Sequence, residues 1–159
     1  MNTVTLSSAR HDWETPKAFF DVLNSEFAFT LDAAASDENA LCNHFFTEAD
    51  DALTRMWLGT VFLNPPYGPG IGKWVKKAYE ESQRYAARVV MLIPARTETR
   101  WWHSYVMHAA EIRLIKGRLR FSGMTINAPF PSAVVVFQRG DHVPLVTAMD
   151  RILDPVATP

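Results

Sequence analysis

The chain has 159 residues, 48% of them hydrophobic and 21% charged, with a formal net charge of −1. That length and apolar content suit one soluble domain with a formed core and exclude a disordered tail or a fibre. The single cysteine, Cys42, excludes an internal disulfide framework, and no apolar run approaches the ~20 residues that cross a bilayer. The charge is unevenly spread. Residues 1–60 hold three basic residues (Arg10, Lys17, Arg55) against ten acidic ones, a balance of −7, whereas residues 61–120 hold eleven against four, a balance of +7. An acidic half followed by a basic half predicts two differently charged binding surfaces. Met1 to Glu14 show no basic stretch followed by an apolar one, so the expected location is the cytoplasm.

In chain order, residues 1–8 are small and polar and read as a loose tail. Thr15-Pro16 followed by Ala18, Phe19, Val22, Leu23 and Phe27 predicts an amphipathic helix with Thr15 as its cap and Pro16 in its first turn. A strand is expected within 27–33, ending at Asp32, then a helical turn over 39–42 and a short strand at His44-Phe45-Phe46. Val61-Phe62-Leu63 is a buried strand stopped by Asn64-Pro65-Pro66-Tyr67-Gly68. Helices are expected at 72–85 and 98–110, with Glu80-Glu81 on a solvated face, and strands at 89–94, 112–121 and 132–137. Beyond Gly140, the apolar residues Leu145, Val146, Met149, Ile152 and Leu153 are spaced for a short amphipathic helix.

Continuously apolar strands alternating with helices predict an α/β fold, a mainly parallel sheet with helices on both faces. In such sheets ligands sit beyond the carboxyl ends of the strands. Asp32, Asn64 and Pro94 all fall at such ends and should share one rim.

Asn64-Pro65-Pro66-Tyr67 is the most informative stretch. Two prolines fix φ and lack N–H donors, leaving stiff, unpaired carbonyls between an amide and an aromatic ring. Such a set suits a planar group bearing an NH₂: the Asn64 oxygen and a proline carbonyl accept its hydrogens while Tyr67 stacks on its face. The five histidines lack metal-ligand spacing, and neither a Gly-x-Ser-x-Gly elbow nor a phosphate-binding Walker loop occurs, so no metal is expected.

Val61 to Gly68 resembles the catalytic motif of amino-group methyltransferases. With Asp12 to Pro16, Phe29 to Ala35, Ile93 to Thr97, Trp101-Trp102-His103 and Gly117 to Phe121 in order, residues 11–138 resemble the phage-type DNA N6-adenine methyltransferase (Dam) family. The resemblance implies a class I, Rossmann-like fold over residues 9–140, compact and without a separate target-recognition domain, followed by a 141–159 extension. It implies S-adenosylmethionine as cofactor and double-stranded DNA as partner, with no membrane association, acting as a monomer or a homodimer in a bacterial or phage-infected host cytoplasm. In that reading Asn64, Pro65, Pro66 and Tyr67 are catalytic. Trp13, Thr15, Pro16, Asp32, Ala33 and Asp51 line the cofactor site, with Glu48 and Asp50 as alternatives for its ribose. The family's usual Gly-x-Gly is replaced by Ala33-Ala34-Ala35-Ser36, whose side chains are still small. Phe121 is expected on the far face of the flipped base, and Arg96, Arg100, Arg118 and Arg120 on DNA phosphates. Cytosine N4 methylation and a non-catalytic DNA- or cofactor-binding relative stand as the alternatives.

Overall fold

The computed structural model describes residues 13–152. In chain order come helix α1 (Lys17–Phe27), strands β1 (Leu31–Asp32) and β2 (Thr60–Leu63), helix α2 (Ile71–Arg84), strand β3 (Arg88–Pro94), the short helix α3 (Arg100–Ser104), then β4 (Glu111–Lys116), β5 (Ser132–Phe137) and β6 (Leu145–Asp150). The six strands form one sheet in the order β1-β2-β3-β5-β4-β6. Pairs β1–β2, β2–β3 and β4–β6 are parallel, whereas β5 runs antiparallel to both β3 and β4. Five strands therefore point their carboxyl ends to one rim, and Asp32, Leu63, Pro94 and Lys116 end there together.

The register shows which helix covers which face. Partnered residues share a face, so Phe62, Val90, Leu92 and Val136 lie on one side and Val61, Val89, Met91 and Phe137 on the other. Phe20 of α1 meets Phe62 edge-on at 5.1 Å, and Tyr79 of α2 meets Phe137 at 6.0 Å. Helices thus cover both faces. Arg113, on the α1 side of β4, clamps that helix through Glu26 at 2.6 Å and packs 5.2 Å from the Phe27 ring.

Several local expectations are corrected. Thr15 makes no capping bond: Pro16 occupies the cap position of α1, with φ −60° and ψ 132°. Segment 44–46 contributes one bridge, Asp32 to Phe45, rather than a strand. The 98–110 helix breaks after Ser104 into a 3₁₀ turn, Val106–His108. Strand β4 stops at Lys116 because Gly117 turns with φ +70°. Residues 145–150 form a strand, not a helix, because the exposed edge of β4 offers a ladder of backbone partners that a helix would leave unpaired. The expected 1–8 tail, and Leu153, lie outside the described residues.

At the start of β2, Gly59 takes φ +77°, and an added Cβ there would sit 2.5 Å from Thr30 Oγ1. That hydroxyl receives the Thr60 N–H at 3.2 Å. Gly59→Ala is therefore expected to destabilise the fold by about 1–3 kcal/mol in urea denaturation. An unchanged midpoint would contradict the strain argument.

Candidate active site

A cleft of about 1360 Å³ opens at the carboxyl ends of β1 and β2. Among the described residues, six carboxylates line it (Glu14, Asp32, Asp37, Glu38, Glu48, Asp51) against a single cation, Lys17. The acidic half of the sequence has thus folded into the wall of one cavity.

Asn64 is the hinge of the site. Its Nδ2 donates to the Trp13 carbonyl and, at 2.9 Å, to Thr15 Oγ1. A backbone carbonyl can only accept, so the amide has one orientation and Oδ1 must face the other way. Oδ1 is buried and has no hydrogen-bond partner among the described residues. A buried unpaired carbonyl costs about 1–3 kcal/mol, which a ligand bearing an N–H would recover. The segment holding Asn64 is itself held: Ser122 donates its N–H to the Glu14 carbonyl at 2.9 Å and its hydroxyl to the Thr15 carbonyl at 3.2 Å. Pro65 is buried and Pro66 exposed, and both line the cleft beside Asn64.

Tyr67 and Phe121 do not present their rings to the cleft. Tyr67 is 5% exposed, its hydroxyl donating to the Leu92 carbonyl at 3.0 Å, and Phe121 is 1% exposed. With Trp13 and Phe130 they form an edge-packed aromatic cluster whose ring centroids lie 5.3–6.1 Å apart. Burial alone pushes the Tyr67 phenol well above its ordinary range. Both rings brace the Asn64 loop from beneath. Trp74, four residues into α2, lines the cleft instead. Trp74 falls within the helix expected over 72–85; that α2 starts soon after the Pro-Pro turn is the signal that could have placed it at the cavity.

Asp32, 3% exposed, accepts the Leu41 N–H at 3.1 Å and the Ala34 N–H at 3.4 Å. Burial pushes its carboxyl up to about 6, against those two N–H donors, which lower it. The thiol of Cys42 is pushed up to about 11 by burial and by the Asp32 charge. Ala33 follows Asp32 into the cleft wall, its N–H on the Phe62 carbonyl, and Ala34, Ala35 and Ser36 continue that wall. Trp13, Thr15, Glu48 and Asp51 also line the cleft, whereas Pro16 does not. Asp50 is occupied elsewhere: Oδ2 accepts the Thr47 N–H and hydroxyl at 2.8 and 3.0 Å, closing a capping box, so its pKa is lowered. This leaves Glu48 and Asp51 as the acids of that loop facing the cavity.

The expected basic face follows from strand direction. Arg96 lies beyond β3 and Arg118 and Arg120 beyond β4, on the same rim as Asn64, with Arg100 opening α3. All four are exposed, and among the described residues none forms an ion pair, whereas Lys76, Lys77 and Arg113 do. Arg118 and Arg120 alternate with Leu119 and Phe121, each 1% exposed, so buried side chains anchor the strip that carries the guanidinium groups.

A family model described as DNA N-6-adenine-methyltransferase (Dam) matches residues 2–145. The chain is 37% identical over 121 residues to a protein of Escherichia phage T1 named DNA N-6-adenine-methyltransferase, the match covering 74% of this chain and 50% of that one. It is 32% identical over 111 residues to a protein of the same name from Haemophilus phage HP1 (strain HP1c1), covering 68% and 64% respectively. The chain thus spans half to under two thirds of the length of these relatives.

Proposed function

The chain belongs to the DNA N-6-adenine-methyltransferase (Dam) family, and on that premise we propose that it transfers a methyl group from S-adenosylmethionine to the exocyclic N6 of adenine in double-stranded DNA. The observation that carries this reading is the unpaired, buried Asn64 Oδ1, fixed in direction by Trp13 and Thr15. It is an acceptor waiting for an N–H, at the strand end where an α/β sheet binds ligands.

The cleft fits both substrates. Its volume exceeds the ~300–1,000 Å³ of a typical small-molecule pocket, leaving room for a flipped base beside a nucleoside-sized cofactor. The carboxylates suit a cation, and the Ala33-Ala34-Ala35-Ser36 wall admits close approach without glycine. Asp32, Ala33, Asp51 and Glu48 would hold the cofactor, with Trp13 and Thr15 closing over it. When bound, S-adenosylmethionine would supply a methyl group on a sulfonium, the C–S bond breaking with its electron pair left on sulfur as the C–N bond forms, and the methylated, cationic amine then losing one N6 proton to solvent. Asn64 Oδ1 and the Pro65 carbonyl accept the two N6 hydrogens. The lone pair of that amine, otherwise delocalised into the ring, is thereby localised and aimed, and the site holds it in place by positioning and electrostatics. No covalent nucleophile is required. Flipping the base costs a few kcal/mol, and stacking on the Trp74 ring would return roughly 1–3 kcal/mol.

In this reading the fold is a class I methyltransferase fold without a separate target-recognition domain, working in a bacterial or phage-infected cytoplasm. Loops 68–72 and 122–131 are then the readers of sequence, in a monomer or a homodimer. The exposed arginines Arg96, Arg100, Arg118 and Arg120 contact phosphates. Raising salt from 50 to 200 mM is therefore expected to weaken DNA binding steeply, by about 40-fold if three phosphates are neutralised, and to leave cofactor binding nearly unchanged. Equal salt sensitivity of the two would remove the arginines from the DNA face. The reaction itself is tested by incubating the protein with labelled S-adenosylmethionine and unmethylated duplex, then digesting to nucleosides. Label in N6-methyladenosine is expected; label in N4-methylcytosine, or none, would overturn the assignment.

A further inference from the structure

Glu81 lies in the interior, 2% exposed, although its sequence position reads as a solvated helix face. Burying a carboxylate is costly unless its oxygens are paired, and both of these are. Oε2 accepts the Trp57 N–H at 2.8 Å, and Oε1 pairs with Lys77 Nζ one helical turn earlier. Lys77 Nζ in turn sits 5.7 Å from the centre of the Trp57 ring. Trp57 is fully buried and its indole Nε1 donates to the Ala52 carbonyl at 2.9 Å. Ala52 follows Asp51, which adopts φ +52°, a left-handed conformation uncommon outside glycine that the indole bond to Ala52 supports from the next residue. Thr54 supplies more of that support, its N–H and hydroxyl both donating to the Asp51 carbonyl at 2.9 and 2.8 Å. Glu48, Asp51 and Ala52 line the cleft.

An unbroken chain of contacts thus runs from the C-terminal half of α2, through Trp57, to the acidic wall of the cavity. The same helix begins directly behind the Asn64 loop and carries Trp74 into the cleft. We propose that Glu81 is a positioning residue, which through Trp57 sets the backbone of the Glu48–Ala52 wall and with it the affinity for the cofactor. This rests on the reading of the cleft as the cofactor site. Glu81 touches no ligand itself. Its effect is selective: the phosphate-facing arginines lie beyond β3 and β4, outside this chain of contacts, so DNA binding does not depend on it.

The test measures S-adenosylhomocysteine affinity by calorimetry and duplex affinity at fixed salt, in protein shown folded by thermal melting. Glu81→Ala is expected to weaken S-adenosylhomocysteine binding about tenfold and to leave duplex affinity unchanged. Should that variant not fold, Trp57→Phe carries the same comparison. It keeps the backbone N–H for Glu81 but loses the indole bond to Ala52, with an expected loss of about threefold. Unchanged S-adenosylhomocysteine affinity in the folded variant overturns the proposal, as does a parallel loss of cofactor and DNA affinity, which marks a merely structural role. A wild-type protein that fails to bind S-adenosylhomocysteine at all overturns the reading of the cleft instead.

Discussion

Asn64→Ala is expected to lower the single-turnover rate of methyl transfer by about 100- to 1,000-fold, the cost of removing one preorganised hydrogen-bond partner at a reacting centre. The wild-type amide is oriented before substrate arrives, because its Nδ2 is already committed to Trp13 and Thr15. No reorganisation is then needed when the base enters. Since Oδ1 makes no bond among the described residues, its removal leaves none of their donors unsatisfied, although the Trp13 carbonyl and Thr15 hydroxyl lose a partner. S-adenosylhomocysteine affinity should hardly change, so the defect falls on the rate and not on cofactor binding. Thr15→Val should show a weaker form of the same defect, because the Trp13 carbonyl still orients the amide. A variant at Asn64 with wild-type rate would remove the residue from the chemistry.

Asp32 should show opposite effects of pH on stability and on binding. Its pKa is raised to about 6 in the folded protein by burial, from an ordinary aspartate value of 3.8. The folded state therefore binds the proton more tightly than the unfolded chain does. The stability this contributes is fully present below pH 3.8 and is lost as pH rises through about 6. Two pKa units correspond to about 3 kcal/mol. Asp32→Asn has no such titration, so urea denaturation should show the variant gaining on the wild type by roughly that amount between pH 4 and 7. Cofactor binding should move the other way. The ionised carboxylate that destabilises the empty fold attracts a cationic ligand, so wild-type affinity for S-adenosylmethionine rises through pH 6 while that of Asp32→Asn stays flat. A functional site that carries its own destabilisation is an expected trade. A wild-type stability profile parallel to that of the variant would show that Asp32 titrates normally.

What the sequence made legible follows from how local each signal is. The strand ends at Asp32, Asn64 and Pro94 fell on one rim as expected, because apolar strands, prolines and parallel connections are written in adjacent residues. The acidic wall was legible for the same reason: among the described residues, six carboxylates of the acidic half line one cleft. Non-local pairing was not. Residues 145–150 carry apolar spacing compatible with a helix, and only the free edge of β4, some thirty residues earlier, makes them a strand. Tyr67 and Phe121 show the limit for aromatics. A ring after Pro-Pro or beside arginines reads equally well as a stacking surface or a brace, and the bond from Tyr67 to Leu92 decides for the brace. Glu81 failed for a related reason: adjacent glutamates on a helix look solvated, and its partner Trp57 lies 24 residues away. Orphaned Oδ1, the feature that carries the proposed function, has no sequence signature beyond the asparagine itself.

The central claim, that Asn64 Oδ1 accepts a hydrogen from adenine N6, is tested most directly by deleting both partners in turn. Once the methylated adenine has been mapped, duplexes carrying adenine or unsubstituted purine at that position are compared for binding to wild-type protein and Asn64→Ala, with S-adenosylhomocysteine present. Loss of the amino group should weaken wild-type binding about tenfold and the variant hardly at all, because each deletion removes the same bond. Equal losses in both proteins would place the amino group elsewhere and contradict the account.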